Sequence, residues 1–181
     1  MKKIFLLAMM ICLALTGTAL AARDYQSVGV VIIGGVEFKT DDYFDAIKDT
    51  LKPKSGAKII VGNDMQTRYK KYWLNRGFIG EQTPQKEDFT SFAASNGFSK
   101  VVYVVISDVS DDQRNSGDHR QRNRISVQVD AYLSTPTQVV DVFAASEDQK
   151  SKGSALRARR GAFKKCMSEI AKSLNSHIRA Y

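Results

Sequence analysis

Hydrophobic positions fall along this chain in three rhythms, and each predicts a different element. Val28 to Ile33 is a nearly unbroken Val/Ile run closed by Gly34-Gly35, and Val101 to Ile106 is a second such run. Continuous apolar character of this length marks strands buried on both faces, as in a parallel sheet. Lys58 to Val61 reads as a shorter strand. Between them the spacing becomes helical. Tyr43, Phe44, Ile47 and Leu51 share one side of a helix with Asp45, Lys48, Asp49 and Lys52 opposite, and Thr40 stands at the capping position. Asn63 or Asp64 caps a second helix that ends near Gly77. A third begins at Thr83-Pro84, lines one face with Phe89, Phe92 and Ala93, and stops at Gly97.

The third rhythm is strict alternation. Ile125, Val127, Val129, Ala131 and Leu133 alternate with Ser126, Gln128, Asp130 and Tyr132, which predicts a half-buried strand. The turn Ser134 to Gln138 then joins it to Val139 to Ala145 as a β-hairpin. The polar stretch Ser107 to Asn123 before it reads as a mobile loop. From Ser154 to Ile178 a closing helix carries Leu156, Phe163, Met167, Ile170, Leu174 and Ile178 within a sector about 80° wide. The order is βαβααβββα. Right-handed crossovers make the first three strands parallel, giving an α/β three-layer sandwich. Its mixed five-stranded sheet has parallel core strands, a C-terminal β-hairpin and helices on both faces.

The amino terminus changes where this domain is expected to work. Lys2 and Lys3, the apolar stretch Ile4 to Leu15 and the small-residue site Ala19-Leu20-Ala21 form the three parts of a secretory signal, so residues 1–21 read as a cleaved leader and 22–181 as one α/β domain. No later segment is apolar enough to span a membrane. Cys12 belongs to the leader and lacks the Leu and small residues that precede a lipid-attachment cysteine. Cys166 is then the only cysteine of the mature chain, and a packed core replaces disulfides. Loss of Lys2 and Lys3 lowers the formal charge from +8 to +6. That balance favours anionic envelope polymers or envelope proteins as partners rather than nucleic acid.

Several local patterns resemble a periplasmic α/β domain shared by the amino-terminal domain of TolB, the CsgG curli-secretion lipoproteins and the LpoB activators of peptidoglycan synthases. Val28 to Ile33 stands where those domains place their first buried strand. Asp88-Phe89 through Gly97-Phe98 to Ile106 resembles their helix, glycine and buried strand, and Thr137-Gln138-Val139-Val140 resembles their hairpin turn without its glycine. The resemblance implies a non-catalytic module that docks on envelope proteins. Here no lipid-attachment cysteine, β-propeller or long tether accompanies the pattern, so the likeness extends to fold and docking and assigns no residue.

Candidate chemistry is sparse. Gly29, Gly34 and Gly35 lack the spacing of a dinucleotide turn and read as structural glycines, and no cofactor is expected. His119, His177 and Cys166 have no local partners that would form a nucleophile and base. Asp108, Ser110 and Asp112 begin like a calcium loop, but the glycine and the closing glutamate are missing downstream. A hydrolase would need Asp108 and Asp130 brought together in a pocket. Met65, Tyr69, Tyr72 and Trp73 share a helix face and read as core, while Arg157, Arg159, Arg160, Lys164 and Lys165 read as a solvated face. The expectation is therefore a non-enzymatic envelope docking domain. Its partner-binding residues are Arg114, Arg120, Arg122 and Arg124 of the polar stretch. Binding of an anionic envelope polymer is the alternative, hydrolysis the third, and the oligomeric state is left open.

Overall fold

The structure, a computed structural model, describes residues 27–53, 57–78, 85–114, 122–152 and 154–178. The leader, residues 1–21, lies outside them. Strand β1 (Ser27–Ile33) leads through a short 3-10 turn (Val36–Phe38) to α1 (Asp41–Thr50), then β2 (Lys58–Ile60), α2 (Asn63–Asn75) and α3 (Lys86–Ser95). Three long strands follow, β3 (Lys100–Arg114), β4 (Arg122–Ser134) and β5 (Val139–Ser151), before the closing helix α4 (Ala155–His177). They form one five-stranded sheet of order β2-β1-β3-β4-β5. β1 pairs in parallel with β2 and β3, and β4 is antiparallel to both β3 and β5. This is the predicted mixed sheet.

Strand alternation divides β1 between two cores. Val28, Val30 and Ile32 join Val102, Val104 and the Ile125 to Leu133 row against α1 and α4. On the opposite face Val31, Val101 and Tyr103 meet Met65 of α2 and Phe89, Phe92 and Ala93 of α3. Helices therefore cover both faces. Gly29 has no side chain because one would run into Met65.

The helix stops follow local chemistry. At the end of α3, Gly97 takes φ 68° while its N–H donates to Ala94 O and that of Phe98 donates to Ala93 O. The same double bond closes α2 around Gly77, where Phe78 also packs its ring on Trp73 at 4.8 Å. Both ends are Schellman motifs with their customary apolar contact. The start of α3 differs from expectation. Gln85 is the cap and Asp88 closes a capping box, accepting Gln85 N–H at 2.8 Å. Thr83-Pro84 lies outside the described residues.

The closing helix lies closer to the sheet than its large residues alone suggest. Ala158, Ala162, Cys166 and Ala171 are buried beside Phe163, Met167, Ile170 and Leu174, whereas Leu156 is 56% exposed and outside the core. Small side chains on the sheet-facing side let the backbone approach. Asn175 stitches α4 to the end of α1, its Oδ1 accepting Lys52 N–H at 2.9 Å and its Nδ2 donating to Thr50 O at 3.2 Å.

Candidate functional site

The polar stretch from Ser107 is not the loop its composition suggests. β3 continues to Arg114 and β4 begins at Arg122, so only residues 115–121 lie outside the described structure. A register shift between Ile106 and Asp108 explains how β3 continues. The bulge at Ser107 resets the alternation, so that Ile106 and Val109 both pack toward the core beneath α4. Beyond the bulge, Asp108, Ser110, Asp112 and Arg114 pair with Gln128, Ser126, Arg124 and Arg122 respectively. The buried Ile125 and Val127 of β4 hold this pairing, because a strand with one apolar row must be matched by a neighbour.

Across β4 the pairing continues onto β5, where Gln128 pairs with Ser146, Ser126 with Asp148 and Arg124 with Lys150. Phe89 of α3 stacks on Tyr132 at 5.0 Å. Beyond that contact the face opens, with Ala144, Ser146, Asp148 and Lys150 exposed. Arg124 is bonded to Asp148 through both Nη2 and Nε, the latter at 3.1 Å. These bonds, then one from Ser126, hold the Asp148 carboxyl below its ordinary range. Arg124 is thus partly neutralised, whereas Arg114 and Arg122 stand directly opposite each other at the end of the hairpin. Arg120 lies outside the described residues. Three of the four candidate arginines therefore stand at one end of the β3–β4 pairing.

The remaining candidates fall into structural places. Cys166 is buried, its Sγ 3.3 Å from Val127 O, and burial pushes its thiol up to about 11. His177 closes α4 with Nδ1 2.9 Å from Ser173 O and Nε2 3.4 Å from Asp141 Oδ2, far along the sheet from Cys166. Asp108, Ser110 and Asp112 sit in extended strand, and extended backbone does not wrap an ion as a calcium loop does. Asp130 accepts from Ser107 Oγ at 3.2 Å. Gly34, with φ 154° and Ile106 Cβ 3.2 Å from where a Cβ would stand, is a packing glycine. Met65, Tyr69 and Tyr72 join the second core, and Trp73 meets Tyr69 and Tyr72 edge-on. On the basic face of α4, Arg160 pairs with Asp42 at 2.9 Å and Lys164 with Asp49 at 3.8 Å.

Two features escaped sequence reading. Lys100 is only 7% exposed and donates from Nζ to His177 O at 3.0 Å, tying the start of β3 to the end of α4. Desolvation lowers its pKa, and the carbonyl end of a helix is where a cation is favoured. A lysine just before an apolar run gave no hint of this. The second is a shallow groove of about 580 Å³ between Glu87 and Thr90 of α3 and Thr137 to Val142 of the hairpin. It lies toward the opposite end of β4 from the arginines, about 30 Å away at strand rise. It contains neither Asp108 nor Asp130.

No protein-family model and no curated protein matches the sequence. Solved structures do resemble the fold. The hypothetical protein CT253 from Chlamydia trachomatis superposes with a TM-score of 0.50 at 10% identity, covering 84% of this chain and 97% of its own. Lipoprotein GNA1162 from Neisseria meningitidis gives 0.43 at 15% identity over 81% and 99%, and PelC from Paraburkholderia phytofirmans, a dodecamer, gives 0.43 at 10% over 84% and 88%. At these identities the likeness is one of fold alone, and the chain shares its α/β architecture with CT253.

Proposed function

We propose that this chain is an exported, non-enzymatic docking module of the cell envelope, contacting an anionic partner through Arg114, Arg120, Arg122 and Arg124. The observation that carries this reading is the register of the β3–β4 hairpin, which sets Arg114 directly opposite Arg122. Like charges in that relation destabilise a free sheet, and an anionic partner relieves them. The secretory pattern of residues 1–21 and the resemblance to periplasmic docking domains support the location. Among the described residues no helix is long and apolar enough to cross a membrane, and no cluster of three His, Cys, Asp or Glu side chains could hold a metal ion. The partner is an envelope protein. An anionic envelope polymer is distinguished by affinity that falls steeply and linearly with the logarithm of salt concentration.

The test replaces all four arginines by Ser. Exposed charges contribute little to stability, so the melting temperature stays within a few degrees. Crosslinking in the native envelope then loses the partner that the unaltered chain captures, and binding of that purified partner loses its salt dependence. An unchanged crosslink would move the docking surface away from this hairpin.

A further inference from the structure

The sheet has two outer edges, and the chain treats them differently. β2 is only three residues long and pairs with Ser27 to Gly29 of β1. Farther along, the Gln66 amide stands in for the missing strand, its Nε2 donating to Ile32 O at 3.1 Å and its Oε1 accepting Ile32 N–H at 2.7 Å. That edge is closed chemically. The opposite edge is β5, Val139–Ser151, and the described residues place no strand outside it. In an antiparallel ladder alternate residues turn their backbone groups outward. Val142 N–H is one of these, since Asp141 Oδ1 accepts it at 2.9 Å. Ala144, Ser146, Asp148 and Lys150 follow at the same parity. Long unpaired edges are usually blocked, because they template pairing with another chain. Here the near half is held by an exposed carboxylate that a competing cation can draw away.

The two sides of this edge carry different chemistry. Toward α3 stand Val140, Val142 and Ala144, the valines 44% and 48% exposed, beside the groove that Glu87 and Thr90 close. Toward α4 stand Asp141, Phe143, Ala145 and Glu147. A strand laid along β5 therefore meets aliphatic groups on one face and, on the other, the carboxylates of Asp141 and Glu147 with Phe143 and Ala145 between them. We infer that the β5 edge accepts an extended segment of a partner protein in which aliphatic residues alternate with lysine or arginine, adding a sixth strand to the sheet.

Its aliphatic side chains lie beside Val140, Val142 and Ala144, and its basic ones beside Asp141 and Glu147. Asp141 then pairs with the incoming cation and releases Val142 N–H to the incoming carbonyl. A second copy of this chain fits less well, because antiparallel self-pairing that joins the two valine rows sets Asp141 against its own mate. The surface runs along β5 from Val140 to Glu147 and uses none of the four arginines, so it stands independently of the docking proposed for them.

The probe is an eight-residue peptide alternating lysine and valine, compared with its glutamate and valine counterpart, added to the full chain while amide exchange is followed by NMR. With the lysine peptide at about ten times its Kd, exchange of the Val142, Ala144 and Ser146 amides slows roughly tenfold, and the glutamate peptide has no effect. Val142→Pro removes an outward donor without touching the β4 ladder and abolishes the protection. Asp141→Asn weakens binding about threefold to fivefold, the size of one exposed ion pair. Equal protection by both peptides, protection confined to other strands, or none at any soluble concentration overturns the inference. A sedimenting dimer that Val142→Pro abolishes would assign the edge to a second copy and overturn it too.

Discussion

Phe163→Ala is the sharpest test of how α4 sits on the sheet. The Phe163 ring is fully buried, edge-on to Tyr43 at 5.0 Å and tilted against Phe38 at 6.3 Å, and these three rings join α4, α1 and the turn after β1. Removing a buried Phe costs about 3–5 kcal/mol through lost transfer energy and the cavity left behind. The neighbouring Tyr43 hydroxyl is buried without a hydrogen-bond partner among the described residues, so this corner gains little by relaxing around a hole. About 4 kcal/mol is expected, or roughly 8–16 °C in melting temperature for a domain of this size. Urea unfolding followed by the fluorescence of Trp73, the single tryptophan, reads the loss from the opposite face of the sheet and so reports on global stability. Lys164→Ala is the control. Its partner Asp49 is 3.8 Å away and both side chains are exposed, so the change is within about 0.5 kcal/mol. If the two variants unfold within about 1 kcal/mol of each other, the packing assigned to α4 is wrong.

Two further outcomes follow from polar contacts of α4. Native Cys166 should resist thiol reagents at pH 8 and react on unfolding, because its thiol is pushed up to about 11. The unfolded thiol ionises near 8.5, roughly. Its contribution to stability is therefore complete below that pH and is lost as pH rises toward 11, so stability should fall more steeply above pH 8.5 in the unaltered chain than in Cys166→Ala. Equal slopes would refute it. Asn175→Ala removes both bonds to the end of α1 and should cost about 1–2 kcal/mol by chemical denaturation, with α1 amides exchanging faster than those of α4.

Most of the sheet was legible because burial on two faces leaves an unmistakable mark. β1 and the inner half of β3 are continuous Val/Ile runs because helices cover both sides of them, and β4 alternates because only one of its faces is roofed along its length. Element ends were harder to read. Pro84 looked like a helix start, yet the capping box formed by Gln85 and Asp88 sets it later. Leu156 fitted the apolar stripe of α4 by angle alone. Angle does not say how much structure covers a position, and Leu156 stays 56% exposed although Ala155 and Ala158 of the same turn pack on the core.

The candidate surface was only half legible, and the reason lies in neighbouring strands rather than in the residues themselves. Nothing between Asp108 and Arg114 except Val109 is apolar, so composition reads the segment as a loop. The information that it is a strand sits in β4, whose buried Ile125 and Val127 demand a partner along their whole length and take Asp111 and Val109. Once the segment is a strand, its charges acquire addresses. Asp112 pairs in register with Arg124, whose side chain holds Asp148, while Arg114 pairs with Arg122. A loop would let the aspartates and arginines of this stretch find one another and leave little net field. The strand register distributes them along the seven pairs from Asp108 to Arg114, with Asp112 in register with Arg124 and Arg114 with Arg122. The neighbouring placement of Arg114 and Arg122 is thus a property of the pairing, absent from the composition, and it is why the end of this hairpin is proposed to meet an anionic partner.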